Sequence, residues 1–373
     1  LNKLFSYNLS VSKEPKDYLY KRNITDKDMK EVSMGFAPKG QLLKISEKNE
    51  NYPRPELIEL GYLRHNDYGD LYETFSDRIM IPIHDEKGNI VTFCGRTIKD
   101  ETPKYLHTHE TKIFQKKELL YNFSNAKPLA YNNELILVEG YMDVVGAKKI
   151  GFENVAALMG TAITPEHIKL IKNNRSSITL ALDNDFDKQE NIGRAKMLQH
   201  IPVLLNEGFK VDVIDFSKIG DYKDFGVLGE KEIPFMEVQK AKTSGFSFLL
   251  DYKYFNNLEL NVENISLAYK QLKQDKIINN TYDESLFKEY LLNRTEYNKK
   301  ELDEIIYPKR IEEKENALSK FNSKAMSNFL YSELKLQIDK MDDVVLSSYY
   351  LNFKSSVENK LVSVFNKDPE LYL

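Results

Sequence analysis

The chain of 373 residues contains one cysteine, Cys94. That excludes an internal disulfide framework and any cysteine-rich zinc module within this chain. Six histidines, at 65, 84, 107, 109, 167 and 200, do not replace one. Only His107 and His109 lie close together, and a polar loop is the plainer reading of that pair. No apolar run approaches the roughly 18 residues that a bilayer span needs, and no signal-like segment opens the chain. An intracellular, cytoplasmic location with no membrane partner is therefore expected. There is no Gly-x-x-x-x-Gly-Lys-Ser/Thr motif, so the chain carries no P-loop motor of its own. A fixed-period repeat and a low-complexity linker are lacking too. So is an excess of basic charge: 53 Lys and Arg against 57 Asp and Glu give a net −4. The global positive field of a histone or a repressor is absent, and any nucleic-acid contact must be built locally.

What remains is ample for a folded protein. With 41% hydrophobic, 29% charged and 12% aromatic residues, the balance is that of a soluble globular chain rather than a disordered one. At roughly 100–200 residues per domain, the length suggests two or three domains. The first residue is Leu1, not a methionine, and further domains beyond either end are expected.

Residues 1–125 mix short strands and helices. Ser12-Lys-Glu-Pro and Thr25-Asp-Lys-Asp carry helix-start chemistry, a hydroxyl ahead of acids in the first turn. Ile79-Met-Ile-Pro-Ile-His, Asp85-Glu-Lys-Gly-Asn and Ile90-Val-Thr-Phe-Cys-Gly-Arg read as strand, tight turn, strand. From residue 134 to 216 short apolar runs at 135–138, 155–159, 178–182 and 211–216 alternate with helix patterns at 144–149, 165–173 and 193–206. That rhythm predicts a parallel α/β sheet. Thr164 as N-cap and Pro165 at the first helical position mark one helix start. After Gly229 the periodicity reads as helical to the end. Leu330, Leu334, Ile338, Met341 and Val345 form one apolar stripe.

Three of these strands run into acid-bearing turns: Glu139-Gly-Tyr-Met-Asp143, Asp183-Asn-Asp185 and Gly220-Asp-Tyr-Lys-Asp224. Open α/β sheets gather functional groups where strands deliver their carboxyl ends. One strand-end acid is usually a solvated turn residue or a helix cap. Spacing-matched acids on three strands are harder to obtain from turn chemistry alone. Converging carboxylates repel unless a cation offsets them, and an all-oxygen ligand set suits Mg²⁺ or Mn²⁺. Such a site polarises phosphoryl oxygens.

Glu139-Gly-Tyr-Met-Asp with the downstream Asp183-Asn-Asp185 resembles the Toprim signature of DnaG-type primases, topoisomerases and some nucleases. The region before it narrows the likeness to primases. Asp77-Arg-Ile-Met-Ile-Pro-Ile, Gly88, Phe93, Gly95-Arg96, Pro103-Lys-Tyr-Leu, Glu110-Thr, Ile113-Phe-Gln-Lys116 and Leu119-Leu-Tyr121 are similar, in order and spacing, to the catalytic core of bacterial and phage DnaG primases. Gly35-Phe-Ala-Pro and Gly61-Tyr-Leu match that family's amino-terminal subdomain. The likeness covers about residues 5–310.

The resemblance implies a Toprim-type parallel sheet flanked by helices. An N-terminal α+β subdomain would occupy 1–125, the Toprim domain 126–230 and a helical subdomain 231–310; the helical extension 311–373, which lies beyond the likeness, is expected to be a helicase-binding element. It implies that Asp183, Asp185 and Asp224 bind metal with help from Asp221, that Glu139 is a metal ligand or acid/base, and that Asp143 supports the site. Arg78, Arg96, Lys104, Tyr105 and Lys116 become the basic cleft for triphosphate and template. The implied activity is synthesis of short RNA primers on single-stranded DNA from ribonucleoside triphosphates, with Mg²⁺ or Mn²⁺ as cofactor. A hexameric replicative helicase and a separate zinc-binding domain are the implied partners.

The chain departs from the family pattern in places. About five residues, including Asp187, are inserted between Asp185 and Gly193. Ser76 replaces a usual arginine, and His107-Thr-His109 stands where Asn-Ser-Pro is usual. The Lys-Asp form at Asp224 leans toward phage or mobile-element enzymes. A Toprim nuclease, and a primase-like replisome scaffold without turnover, are the alternative readings.

Overall fold

The computed structural model of the protein describes residues 1–129, 133–160, 162–185 and 191–308. The stripe at 330–345, the extension 311–373 and Asp187 lie outside the described residues. Among the described residues, no helix is long and apolar enough to cross a membrane. The chain divides into two compact units. One is Leu1–Glu259 with Gln271–Asp283, and the other comprises Leu260–Lys270 and the described residues from Glu284 onward.

Among the described residues, eleven strands form three sheets, all in the first unit. An antiparallel sheet has the order β1 (Gly35–Ala37), β4 (Arg78–His84), β5 (Ile90–Thr97), β6 (Tyr105–His107), and a two-stranded ribbon pairs β2 (Leu63–His65) with β3 (Leu71–Glu73). The β4–β5 hairpin forms where the sequence predicts it. Asp85 Oδ1 accepts the Lys87 and Asn89 N–H groups at 2.9 and 2.8 Å, and Gly88 takes the left-handed backbone (φ +88°) that the turn requires.

The third sheet runs β11 (Lys242–Ser244), β10 (Lys210–Ile214), β9 (Ser177–Leu180), β7 (Glu134–Val138), β8 (Val155–Ala157). Strands β10, β9, β7 and β8 are mutually parallel, as the alternation predicts. They read as continuous apolar runs because helices cover them. Leu135, Leu137, Val138, Val155, Ile178 and Leu180 are all fully buried. Thr164 caps the helix Pro165–Lys172 through the His167 N–H, as expected.

One strand departs from the expectation. Residues after Gly229 are not purely helical, because β11 closes the sheet antiparallel to β10. Lys242-Thr-Ser is three residues of edge strand with no buried side chain, too short and too polar to show a period of two.

The antiparallel sheet and the parallel sheet share one core. Ile79, Ile81, Ile83 and Cys94 from the former pack in the same cluster as Ile136, Val138, Val155 and Ala157 from the latter. Each buried isoleucine or valine among them contributes roughly 1.5–3 kcal/mol. The residue range 1–125 and the sheet that follows it are thus fastened face to face, and the carboxyl ends of β7 and β9 open toward β5 and β6.

Candidate active site

Two helix starts bring the acids together. The helix Tyr141–Lys149 follows β7 directly, with Gly140 at its N-cap, and places Asp143 in the first turn. There Asp143 Oδ2 accepts the Gly140 N–H at 2.8 Å and Oδ1 accepts the Gly226 N–H at 3.3 Å. Asp224 caps the helix Phe225–Glu230 by accepting the Val227 N–H at 2.8 Å. The two helices touch backbone to backbone. A methyl group on Gly146 would overlap the Phe225 carbonyl, so only glycine permits the approach that seats Asp143 beside Asp224. Asp183 lies three residues past the end of β9, and a methyl group on Gly193 would overlap its carbonyl oxygen, which pins the start of the helix Ile192–Asn206 against that turn.

The result is a group of three carboxylates. One oxygen each from Asp143, Asp183 and Asp224 lies within 4.8 Å of the others. Burial first, then the charges of Asp224 and Asp183, push the Asp143 carboxyl well above its ordinary range, against the pull of the two N–H groups. Asp183 is raised to about 6 by burial, then by Glu139 and Asp224, with Lys223 pulling the other way. Three hard oxygen donors whose mutual repulsion calls for a cation fit a divalent metal site.

Other residues assigned from the sequence fall around this trio. Glu139 lines the same cleft, its carboxylate 2.7 Å from Lys196 Nζ. Asp185 is buried, and Lys223 Nζ stands 3.4 Å from both Asp183 Oδ2 and Asp185 Oδ1. Desolvation weakens the Lys223 ammonium, but these two acids outweigh it and raise its pKa. Asp221 is exposed and outside the group of three. The structure therefore joins Asp143 to Asp183 and Asp224, where the sequence pointed to Asp185 and Asp221 as the companions and Asp143 in support. The reason is geometric: a helix's first turn reaches the focus, whereas Asp185 lies two residues beyond Asp183 at the strand end.

The trio lines a cleft of about 400 Å³, to whose lining Arg22, Arg96, Lys104, Tyr105, His107 and Lys116 also contribute. Arg96 is 2% exposed. Its guanidinium donates to Tyr18 Oη from Nε and Nη2 at 3.0 and 2.9 Å and to the Tyr105 hydroxyl from Nη1. The Tyr105 ring sits 5.4 Å from that of Tyr141. Lys104 is pushed down from its ordinary range by desolvation, then by the charges of Arg96 and Arg22. Arg78 does not line the cleft. It is buried in β4 and donates to the carbonyls of Gly95 and Pro103 at 3.2 and 3.1 Å. His107 and His109 engage different partners, the Tyr141 hydroxyl (2.6 Å) and the Glu59 carbonyl (3.0 Å). Burial and the nearby Lys116 charge lower His107 to about 4, so it brings no positive charge to the cleft at neutral pH.

Arg22, Tyr18, Lys196 and Lys223 carried no assignment from the sequence. Arg22 is ion-paired to Glu230 across more than two hundred residues, a relation no local pattern shows. Lys223 had a signal, since it precedes an acid in a strand-end turn.

Comparison with known proteins places this geometry. Residues 4–127 match the family described as the DNA primase catalytic core, N-terminal domain, and residues 133–215 match the Toprim domain. A DNA primase of Staphylococcus epidermidis is 31% identical over 283 residues, covering 72% of this chain and 46% of that protein. The chain spans about half the length of the curated relatives it matches. Among solved structures, a DnaG primase catalytic domain bound to ssDNA is 28% identical with a TM-score of 0.64, covering 78% of this chain and 94% of that one. The Aquifex aeolicus primase, solved with its zinc binding and RNA polymerase domains, shares the fold at 24% identity and a TM-score of 0.62, covering 83% and 72% respectively.

Proposed function

The chain belongs to the DnaG-type DNA primase family through its catalytic core and Toprim domain, and from that premise we propose that it makes short RNA primers on single-stranded DNA from ribonucleoside triphosphates. The observation that carries this reading is that three clustered carboxylates and several cations line one cleft. Acids alone would serve many phosphoryl chemistries. The cations that share the cleft with them suit a polyanionic triphosphate and a template strand.

Asp143, Asp183 and Asp224 are the residues that would hold Mg²⁺. When bound, the ion supplies Lewis-acid stabilisation of the phosphoryl oxygens and lowers the pKa of an attacking 3′-hydroxyl. Lys104 and Lys116 neutralise triphosphate charge from the opposite wall. Arg96, locked between Tyr18 and Tyr105, fixes that wall and presents a delocalised charge to it. Tyr105 and Tyr141 give the cleft an aromatic floor against which a base can rest. Glu139 stands beside the trio as an acid/base group or a further ligand, its carboxylate oriented by Lys196. A hexameric helicase and a zinc-binding domain complete the assembly this reading implies, and the reaction belongs to the cytoplasm.

The test is incubation with labelled ribonucleotides, Mg²⁺ and single-stranded DNA. Oligoribonucleotides of primer length are the expected product. Shortening of the DNA with no new RNA would overturn the reading in favour of a nuclease, and absence of both would favour a scaffold without turnover.

A further inference from the structure

Resting on that reading, the structure assigns a further role to Lys223: it is the resident counter-ion of the metal-free acidic site, displaced by the divalent cation and then turned to the phosphates of the incoming triphosphate.

The backbone around Lys223 is fixed. Asn184 N–H donates to the Lys223 carbonyl at 2.6 Å, Asn184 Nδ2 donates to the Tyr222 carbonyl at 3.3 Å, and the next residue, Asp224, is tied to Val227 as a helix cap. These bonds hold the turn 222–224 against the turn 183–185, so the lysine side chain leaves the backbone between two acids. That side chain is 41% exposed, against 6% for Asp185. Its two separations of 3.4 Å exceed the 2.7–2.9 Å typical of charge-assisted hydrogen bonds, unlike the 2.7 Å pair of Lys196 and Glu139. Lys223 is thus held between the two acids by charge and by long contacts, and its 41% exposed side chain borders open space into which it can move.

An ammonium this close to Asp183 and a divalent ion on the same carboxylate repel each other, so the two compete for the site. Lys223 lines the same cleft as Arg22, Arg96, Lys104 and Lys116. Once displaced, its flexible arm adds a point charge to the wall that meets phosphate. The lysine thereby couples metal entry to triphosphate capture.

Titration calorimetry with Mn²⁺ alone, on the wild type, Lys223→Met and Lys223→Arg, tests the first half. Lys223→Met should bind Mn²⁺ roughly fivefold more tightly, the order expected when a partly exposed competing charge is removed. It should also melt lower without metal and gain more in melting temperature from Mn²⁺ than the wild type does, whereas Lys223→Arg behaves as wild type. In primer synthesis at saturating Mg²⁺, the KM for ribonucleoside triphosphate should rise about tenfold in Lys223→Met, with a smaller change in kcat. Equal or weaker Mn²⁺ binding by Lys223→Met overturns the counter-ion role and leaves the metal reading standing. Binding by none of the three proteins overturns both. An unchanged KM overturns the phosphate role. Should the methionine variant not fold, Lys223→Gln, which keeps a donor without the charge, provides the same comparison.

Discussion

On the acidic wall of the cleft, Asp143, Asp183 and Asp224 are crowded into less room than their charges tolerate, held there by helix starts and by backbone contacts at Gly146 and Gly193. Among the basic residues the two arginines are tied into the fold, Arg78 away from the cleft and Arg96 at its lining. Arg78 satisfies carbonyls inside its sheet and Arg96 is clasped by two tyrosines, while Lys104 and Lys116 bring flexible charges to the cleft. Both walls bury charge, but for different ends. The acids store a repulsion that a cation relieves, and the arginines have their donors engaged by carbonyls and tyrosine hydroxyls within the protein. A charged residue's place in a motif therefore does not reveal whether its donors are available, because a buried guanidinium whose donors are engaged inside the protein can act on a ligand only through its charge.

The comparison breaks most sharply at the trio. Asp183→Asn removes one ligand and one repelling charge together. Primer synthesis should fall by roughly a hundred- to a thousandfold, the cost typical of losing one transition-state charge contact. Mn²⁺ binding should weaken in parallel, while the metal-free protein melts at the same temperature or higher. A variant that melts lower without metal would show that the acids are bonded structural groups like the arginines opposite. Gly146→Ala acts on the scaffold instead. Its new methyl group collides with the Phe225 carbonyl, which should cost about 3 kcal/mol in urea unfolding and separate Asp143 from Asp224, so that stability and metal binding fail together.

Much of the acidic wall was legible in the sequence, and the basic wall less so. Apolar runs alternating with helix patterns, three of them leading to acid-bearing turns, placed Glu139, Asp183 and Asp224 on one sheet rim because parallel strands deliver their ends to one side. The cap chemistry of Thr164 and Pro165 was equally local and equally readable. Asp143 was readable as an acid in the turn ahead of the helix pattern at 144–149, but its rank was not, since that depends on how closely the two helices approach. Gly146 was the available sign of it, a glycine inside a helical pattern. The pairing of Lys196 with Glu139 and of Arg22 with Glu230 joins residues 57 and 208 positions apart, and no periodicity reports such contacts. Arg78 and Arg96 look alike in sequence, and only the fold shows that one faces carbonyls and the other the cleft. Strand β11 was hidden because three polar residues at a sheet edge gain their structure from a neighbour.

A smaller effect separates the two kinds of cation. Arg78→Met leaves the carbonyls of Gly95 and Pro103 without their buried donor, so it should cost about 2–3 kcal/mol in urea unfolding. Among molecules that remain folded, the KM for triphosphate should stay near the wild-type value. Lys104→Met should do the reverse, with stability within about 0.5 kcal/mol and a KM raised several-fold, the more so at low salt. If Arg78→Met raised KM while stability held, the guanidinium would be serving the ligand after all.

The smallest effect is a slope with pH, and its sign distinguishes the walls. The folded-state pKa of Asp183 is raised to about 6 from an ordinary 3.8, and that of Asp143 is raised as well. An acid whose pKa is higher folded than unfolded binds its proton more tightly in the native state, so the metal-free protein gains stability as pH falls through about 6 toward 4. For Asp183 alone that gain has a ceiling of about 3 kcal/mol; with its side chain 21% exposed and Lys223 beside it, about 1–2 kcal/mol is expected. The titration belongs to the coupled acids rather than to one of them. Urea unfolding without metal between pH 7.5 and 5 should therefore show a rising midpoint as pH drops, and the extra stability conferred by Mn²⁺ should shrink over the same range as protons compete for the carboxylates. A paired carboxylate of the ordinary kind, with a depressed pKa, would give the opposite slope. A midpoint that falls on acidification would mean that lysines such as Lys223 and Lys196 outweigh the repulsion among the acids, and that the metal-free site is already at rest.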